Sequence, residues 1–350
     1  MSEKILMKGN EAIGEAAIIA GCRYYFAYPI TPQNEIPGYL SERLPQVGGT
    51  FLQAESEIAA INMVFGASAA GARAMTSSSS PGISLKQEGI SYLSGAELPA
   101  VVVNMMRGGP GLGNIAGAQG DYFQATRGGG NGEYKCIVLS PASVQELAEM
   151  TILAFDLADE YRMVSILLGD GYLGQMSEPI VLPEPSGKKF EKPWALTGAK
   201  GRKPNVIASL RLNPEDYLEK HVLHLFEKYR KVEEKERRFE GYETEDAEYL
   251  LVAYGTSSRI CRGAVRELRK QGIKAGLFRP ITLWPYPKEE LASIAAHAKH
   301  ILVVEMSMGQ MVEDVMLSVG GRVPVDFYGR TAGMIPELSV IIERVKNYVI

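Results

Sequence analysis

The chain is poor in the residues that hold metals. Its three cysteines, Cys22, Cys136 and Cys261, lie far apart and none belongs to a CxxC pair. That excludes an iron–sulfur cluster or a structural zinc held by this chain alone. Each cysteine reads as a small buried apolar side chain. Basic excess is also lacking. A formal charge of −4 leaves no electrostatic footprint for nucleic acid. Nowhere do 18 uncharged apolar residues follow one another, and the N-terminal stretch has no apolar core of the kind that leads a protein to export. The expectation is a cytoplasmic protein. Internal repeats and low-complexity tracts are absent too.

What is present is an ordinary globular balance, 46% apolar and 22% charged over 350 residues. That length accommodates two cores. Residues 1–185 alternate helical and strand patterns. A helix over Glu11–Ala20 stops at Gly21, and a β-prone stretch over Tyr24–Tyr28 is broken by Pro29-Ile30-Thr31-Pro32. The next helix is expected to take Thr31 as N-cap and Pro32 as its first residue. Glu55–Ala72 reads as a helix of small residues, Ala74–Thr76 as the start of a strand, and Ser77–Gly82 as a polar turn. Val101–Met106, Lys135–Leu139 and Met163–Leu168 are apolar runs of the sort found in buried parallel strands, with a helix over Val144–Asp159 between the last two. This alternation predicts a parallel sheet with helices on both faces. Residues 186–245 differ, with Pro- and Lys-rich loops leading into a charged, solvated connecting helix over Asp216–Phe239. A second, smaller α/β domain is expected over 246–350. Its strands are Tyr249–Tyr254, Lys274–Phe278 and Ile301–Glu305, and its helices Ser257–Gln271 and Gly309–Val319. His221 and His224 fall on the connecting helix, and His297 and His300 at the end of a surface helix. None points to a ligand set.

Three clusters in the first domain suggest chemistry. Thr31 carries a hydroxyl where a strand ends, at the edge of a sheet where open α/β folds bind ligands. A plain helix cap explains it as well. Glu55 and Glu57 stand two apart at a helix start. Either complements the helix dipole, but Glu57 runs directly into an apolar helix where a buried carboxylate needs a partner. Arg107 follows a buried strand and precedes Gly108-Gly109-Pro110-Gly111, so its fork can meet a carboxylate in bidentate fashion. A structural acid would serve that fork equally.

Taken together, Tyr28–Pro32 (YPITP), Glu55–Ala60 (ESEIAA) and the segment from Glu97 to Asn114 (ELPAVVVNMMRGGPGLGN) resemble the pyrimidine-binding domain of 2-oxoacid:ferredoxin oxidoreductases in order and spacing. Tyr254-Gly255-Thr256, Phe278–Pro285 (FRPITLWP) and Glu305–Met311 extend the resemblance over nearly the whole chain. YPITP paired with FRPITLWP is the specific part. The pattern is most similar to the two-domain subunit of the 3-methyl-2-oxobutanoate enzymes, with the 2-oxoglutarate and pyruvate enzymes as near relatives.

The resemblance implies an α/β fold: a doubly wound parallel sheet of the thiamine-diphosphate pyrimidine type, with a smaller domain like the transketolase C-terminal one. It implies that Glu57 hydrogen-bonds the cofactor's pyrimidine N1′ and so promotes proton transfer. It makes Pro29 a cofactor neighbour, and Thr31 and Arg107 the binders of the substrate carboxylate. Choosing Glu57 over Glu55 rests on that match. Where some relatives carry a Ser-Thr pair, this chain has Gly111-Leu112, which bears on acyl specificity. Gly169-Asp170-Gly171 mimics the start of a metal–diphosphate motif, but no Asn occurs between Asn131 and Asn205 to complete it, so it reads as a strand-end turn. Only half of a thiamine site is therefore expected here. The implied partners are a subunit supplying the diphosphate site with Mg²⁺, small ferredoxin-like and acceptor-domain subunits carrying [4Fe-4S] clusters, ferredoxin, a 2-oxoacid and CoA. A 2-oxoglutarate or pyruvate enzyme, a transketolase-like enzyme and a non-catalytic α/β binding protein are the rival readings.

Overall fold

A computed structural model describes residues 4–349. In chain order the first part comprises β1 (Ile5–Lys8), α1 (Gly9–Ile19), β2 (Tyr24–Ala27), α2 (Glu35–Gln46), β3 (Thr50–Gln53), α3 (Glu57–Ala69), β4 (Ala74–Ser78), α4 (Ser80–Gly95) and β5 (Ala100–Met106). It continues with β6 (Ile137–Leu139), α5 (Val144–Tyr161), β7 (Val164–Asp170), α6 (Gly171–Gln175) and β8 (Ser177–Ile180). The long helix α7 (Tyr217–Lys235) follows. Then come β9 (Phe239–Tyr242), β10 (Tyr249–Val252), α8 (Gly255–Lys270), β11 (Ala275–Pro280), β12 (Thr282–Trp284), α9 (Lys288–Ala295), β13 (His300–Glu305), α10 (Met311–Val319), β14 (Val325–Gly329) and α11 (Leu338–Asn347).

Local chemistry explains most of these boundaries. Ser56 and Ser143 cap α3 and α5, each side chain accepting from a backbone N–H three residues on. Strands β5 and β7 are buried at every position because they lie side by side inside the larger sheet, with helices on both faces. That sheet runs β12-β6-β7-β5-β4-β2-β3 and is parallel apart from β12. Its order contains the feature that matters most for function. From β2 the chain moves outward to β3, then returns to place β4 on the other side of β2. Crevices at the carboxyl ends of strands flanking such a reversal are where open α/β sheets bind ligands.

The smaller sheet runs β14-β13-β10-β11-β9, with β9 antiparallel at its edge. Two short strands cross the divisions read from the sequence. β9 comes from the connecting segment, and β12 leaves the second half of the chain to extend the first sheet. The larger apolar core likewise draws on both parts, joining Val101 and Leu139 to Phe278, Trp284 and Val303. Gln119 pins the two together. Its Nε2 donates to the Tyr254 carbonyl (2.9 Å), and its Oε1 accepts from Ser257 Oγ and Met306 N (both 2.8 Å).

Several sequence expectations are corrected. Helix α2 starts at Glu35 with Asn34 before it, so Thr31 is not an N-cap and Pro32 is not a first helical residue. The polar turn over Ser77–Gly82 is the end of β4 followed directly by α4. The run of four serines hid that junction because serine favours turns and helix starts alike. Helix α7 is not wholly solvated. Leu225, Tyr229 and Val232 are buried, and His221 bonds the Gly95 carbonyl. His300 begins β13 and stacks on Tyr348.

Candidate functional site

The loops leaving β2, β3, β4 and β5 at their carboxyl ends carry Pro29 and Thr31, Glu57, Ser78–Gly82 and Arg107 respectively. Since these four strands are consecutive neighbours in the sheet, residues scattered over nearly 80 positions meet along one edge. Pro29 and Thr31 are exposed in the turn after β2. The turn is held from behind, where Asn10 Nδ2 and Gln175 Nε2 both donate to the Pro32 carbonyl, at 2.8 and 2.9 Å.

Arg107 is 8% exposed. Its Nη1 donates to the Thr31 carbonyl (2.9 Å), its Nη2 to the Leu112 carbonyl (3.0 Å), and its buried Nε finds no partner among the described residues. The guanidinium thus ties the β2 turn to the glycine-rich loop after β5. The structural acid left open by the sequence is not among its partners in the described residues. That loop is also braced by the second part of the chain. Asn114 Nδ2 donates to the Ala332 carbonyl (2.7 Å), and Gly333 packs on Ala116 with no room for a Cβ. Gly111 and Gly113 take positive φ, 66° and 56°, in the left-handed region open to glycine. Leu112 between them is 81% exposed.

Glu57 opens α3 and is 7% exposed. Its carboxylate accepts no hydrogen bond from another described residue, although burial of a carboxylate is costly without a partner. It lies against Gly82 in the first turn of α4. A Cβ there would collide with Ser78 Oγ and come within 2.6 Å of Glu57 Oε1. The N-termini of α3 and α4, both positive dipole ends, converge on this point. The hydroxyls of Ser78 and Ser79 are buried without partners among the described residues. Ser80 Oγ joins the arginine to this corner, accepting from Arg107 N (3.0 Å) and donating to Asp121 Oδ2 (2.6 Å). Burial pushes the Asp121 carboxyl up, against hydrogen bonds from Ser80 and Asn104 that favour its charged form.

A second charged group was not singled out in the sequence. Lys86 on α4 is fully buried. Its Nζ donates to the Ser77 carbonyl (3.2 Å), burial pushes the ammonium down to about 7, and the facing Glu57 charge works against that shift. The signal existed. Ile83, Lys86, Ile90 and Leu93 repeat at helical spacing, and the three apolar members are buried. A lysine on such a stripe belongs to the core.

Asp170 caps α6 and accepts from Tyr172 N (3.1 Å) and Leu173 N (3.2 Å), while its other oxygen faces Thr256 N (3.4 Å). The residue that mimicked a metal motif is a buried strap between the two parts. Among the described residues, no group of three His, Cys, Asp or Glu side chains could hold a metal ion. Burial pushes the Cys22 and Cys136 thiols up to about 12, as befits inert core side chains. Among the described residues, no helix is long and apolar enough to cross a membrane.

The site's residues suit the pyrimidine end of thiamine diphosphate. A desolvated carboxylate without a protein donor, beside helix N-termini and orphaned hydroxyls, is what a protonated ring nitrogen would satisfy. Comparison with known proteins agrees. Residues 15–247 match the family described as pyruvate flavodoxin/ferredoxin oxidoreductase, thiamine-diphosphate-binding, and residues 247–341 match pyruvate:ferredoxin oxidoreductase core domain II. The chain is 51% identical over 343 residues to the ketoisovalerate oxidoreductase subunit VorB of Methanothermobacter marburgensis, covering 98% of this chain and 97% of that one. It is 38% identical to the 2-oxoglutarate synthase subunit KorA of Methanocaldococcus jannaschii, over 88% of this chain and 90% of that one. Among solved structures it superposes with TM-score 0.89 and 29% identity on a 2-oxoglutarate:ferredoxin oxidoreductase of Magnetococcus marinus, determined with 2-oxoglutarate, coenzyme A and succinyl-CoA bound. All of this chain and 66% of that one are covered. Fold, family match and site chemistry agree, and the chain belongs to the pyruvate flavodoxin/ferredoxin oxidoreductase family of thiamine-diphosphate-binding proteins.

Proposed function

We propose that this chain is the pyrimidine-binding subunit of a cytoplasmic 2-oxoacid:ferredoxin oxidoreductase that converts 3-methyl-2-oxobutanoate and CoA to acyl-CoA and CO₂, passing the electrons to ferredoxin. The observation that carries the reading is the convergence of Glu57, Arg107 and Thr31 on adjacent strand ends at the sheet's reversal. The branched-chain substrate is favoured by the high identity to the ketoisovalerate subunit over nearly the full length of both chains.

Thiamine diphosphate, when bound, supplies the electron sink for decarboxylation. Glu57 is assigned to the pyrimidine nitrogen. Its carboxylate accepts no hydrogen bond from another described residue, which leaves it free to receive that nitrogen. Pro29 in the turn after β2 is assigned as the cofactor's neighbour. Arg107 is assigned to the substrate carboxylate, with Thr31 beside it contributing a hydroxyl from the same turn. Leu112 offers an apolar side chain next to that arginine, which suits an isopropyl group better than a second carboxylate. The diphosphate and its Mg²⁺ are assigned to a partner subunit, and the [4Fe-4S] clusters to further subunits, including small ferredoxin-like and acceptor-domain ones. A 2-oxoglutarate enzyme is the second reading, supported by the KorA relatives.

The decisive experiment is Glu57→Ala in the assembled complex, assayed by ferredoxin reduction. The expected result is near-complete loss of 2-oxoacid oxidation, and undiminished turnover would overturn the assignment. Turnover of 3-methyl-2-oxobutanoate against 2-oxoglutarate by the unaltered complex separates the two substrates.

A further inference from the structure

A lysine with no exposed surface needs a reason to be where it is. Lys86 lies one helical turn beyond Gly82, so both face the same side of α4, and Gly82 is the residue against which the Glu57 carboxylate rests. Among the described residues, the Lys86 ammonium makes one hydrogen bond, to the Ser77 carbonyl at the end of β4 (3.2 Å). Beneath it, Ser77 Oγ bonds Tyr25 Oη of β2 (2.5 Å) and the Gln33 side chain. The titratable groups facing the amine are therefore Glu57 from α3 and, through Ser77, the Tyr25 phenol, which burial pushes well above its ordinary range. A methionine or leucine would fill this position on an otherwise apolar stripe with no desolvation penalty. A buried ammonium is costly in this interior, and the Glu57 charge offsets part of that cost.

We propose that Lys86 is a positioning residue whose buried ammonium, on the same face of α4 as Gly82, keeps the Glu57 carboxylate directed at the cofactor pyrimidine. The proposal rests on the role given to Glu57 above. It predicts that the amine is needed in its charged form. Since burial holds Lys86 near 7, activity should fall on the alkaline side as the proton is lost.

The test uses Lys86→Met, Lys86→Arg, Glu57→Gln and the Glu57→Gln/Lys86→Met double variant, each in the assembled complex. Lys86→Met should weaken thiamine diphosphate binding, measured by titrating the cofactor-free complex, and lower kcat, each by about tenfold. In the Glu57→Gln background the same change should add nothing. Lys86→Arg should recover cofactor binding and move the alkaline limb of the kcat/KM profile upward, because guanidinium keeps its charge. Cofactor binding within about twofold of the unaltered complex in Lys86→Met, or an equal loss with and without Glu57, would overturn the proposal. Should Lys86→Met fail to assemble, an alkaline limb in Lys86→Arg that matches the unaltered complex overturns it instead. An active Glu57→Gln would sink the functional reading itself. An inactive Glu57→Gln beside an unaffected Lys86→Met would sink only the role given to Lys86.

Discussion

Arg107 reaches from the end of β5 to the carbonyl oxygen of Thr31 at 2.9 Å, joining two residues 76 positions apart in the chain. Its other terminal nitrogen holds the Leu112 carbonyl, so one guanidinium fixes both walls of the proposed carboxylate pocket. Arg107→Lys keeps the charge and loses the fork. Steady-state assays of the complex should show KM for the 2-oxoacid raised about 10- to 100-fold, the loss expected of charge-assisted hydrogen bonds, with a smaller change in kcat. An unchanged KM would remove Arg107 from substrate binding.

Gly82 has no space for a side chain beside Ser78 and Glu57. Gly82→Ala should therefore push the carboxylate aside or shift α4, costing about 1–3 kcal/mol of stability as overpacking does. Cofactor affinity should fall with it. Denaturant unfolding and thiamine diphosphate titration check the two effects separately.

Gln119 serves the join between the two parts of the chain, away from the carboxylate pocket. Replacing it by Leu strips partners from the Tyr254 carbonyl, Ser257 and the Met306 amide. Leaving such buried groups unsatisfied should cost about 3 kcal/mol. Chemical denaturation should reveal the loss, with KM for the 2-oxoacid unchanged in the folded complex.

Acid stability should report the seating of α7. Although burial pushes the Glu97 carboxyl up, Lys228, Arg162 and His224 outweigh it and hold the group at about 2. Because its folded value lies below the unfolded one, Glu97 contributes stability above the ordinary carboxylate range, and that contribution is lost as pH falls from about 4.5 toward 2. After screening at this partly open site, the contribution is on the order of 2 kcal/mol. Glu97→Gln should lower the thermal midpoint at pH 7 and flatten its decline below pH 4.5. An equal decline in both proteins would refute the assignment.

Much of the fold was readable in the chain because helices and strands announce themselves through local patterning. The apolar run Val101–Met106 became a fully buried central strand, and Val144–Asp159 became a helix two residues longer. The candidate residues were readable too, since Glu57 and Arg107 stand at starts and ends of such elements. Less readable was the serine run at 77–80, where one residue type ends a strand and begins a helix. Thr31 misled for a similar reason. The turn after β2 is shaped by Asn10, Gln175 and Arg107, all distant in sequence, rather than by capping. Lys86 escaped because a lone lysine reads as solvated until its neighbours on the helix are weighed.

By itself the sequence determined most of the segments that are helix or strand, which residues are candidates for chemistry, and that no complete metal–diphosphate motif is present. These depend on spacing and residue type within short windows. Only the tertiary structure decided that β4 returns beside β2 rather than beyond β3, and that choice sets Thr31, Glu57 and Arg107 at neighbouring strand ends along one edge of the sheet. Strand order arises from pairing between distant segments, selected by how whole faces bury against one another, and no local pattern encodes it.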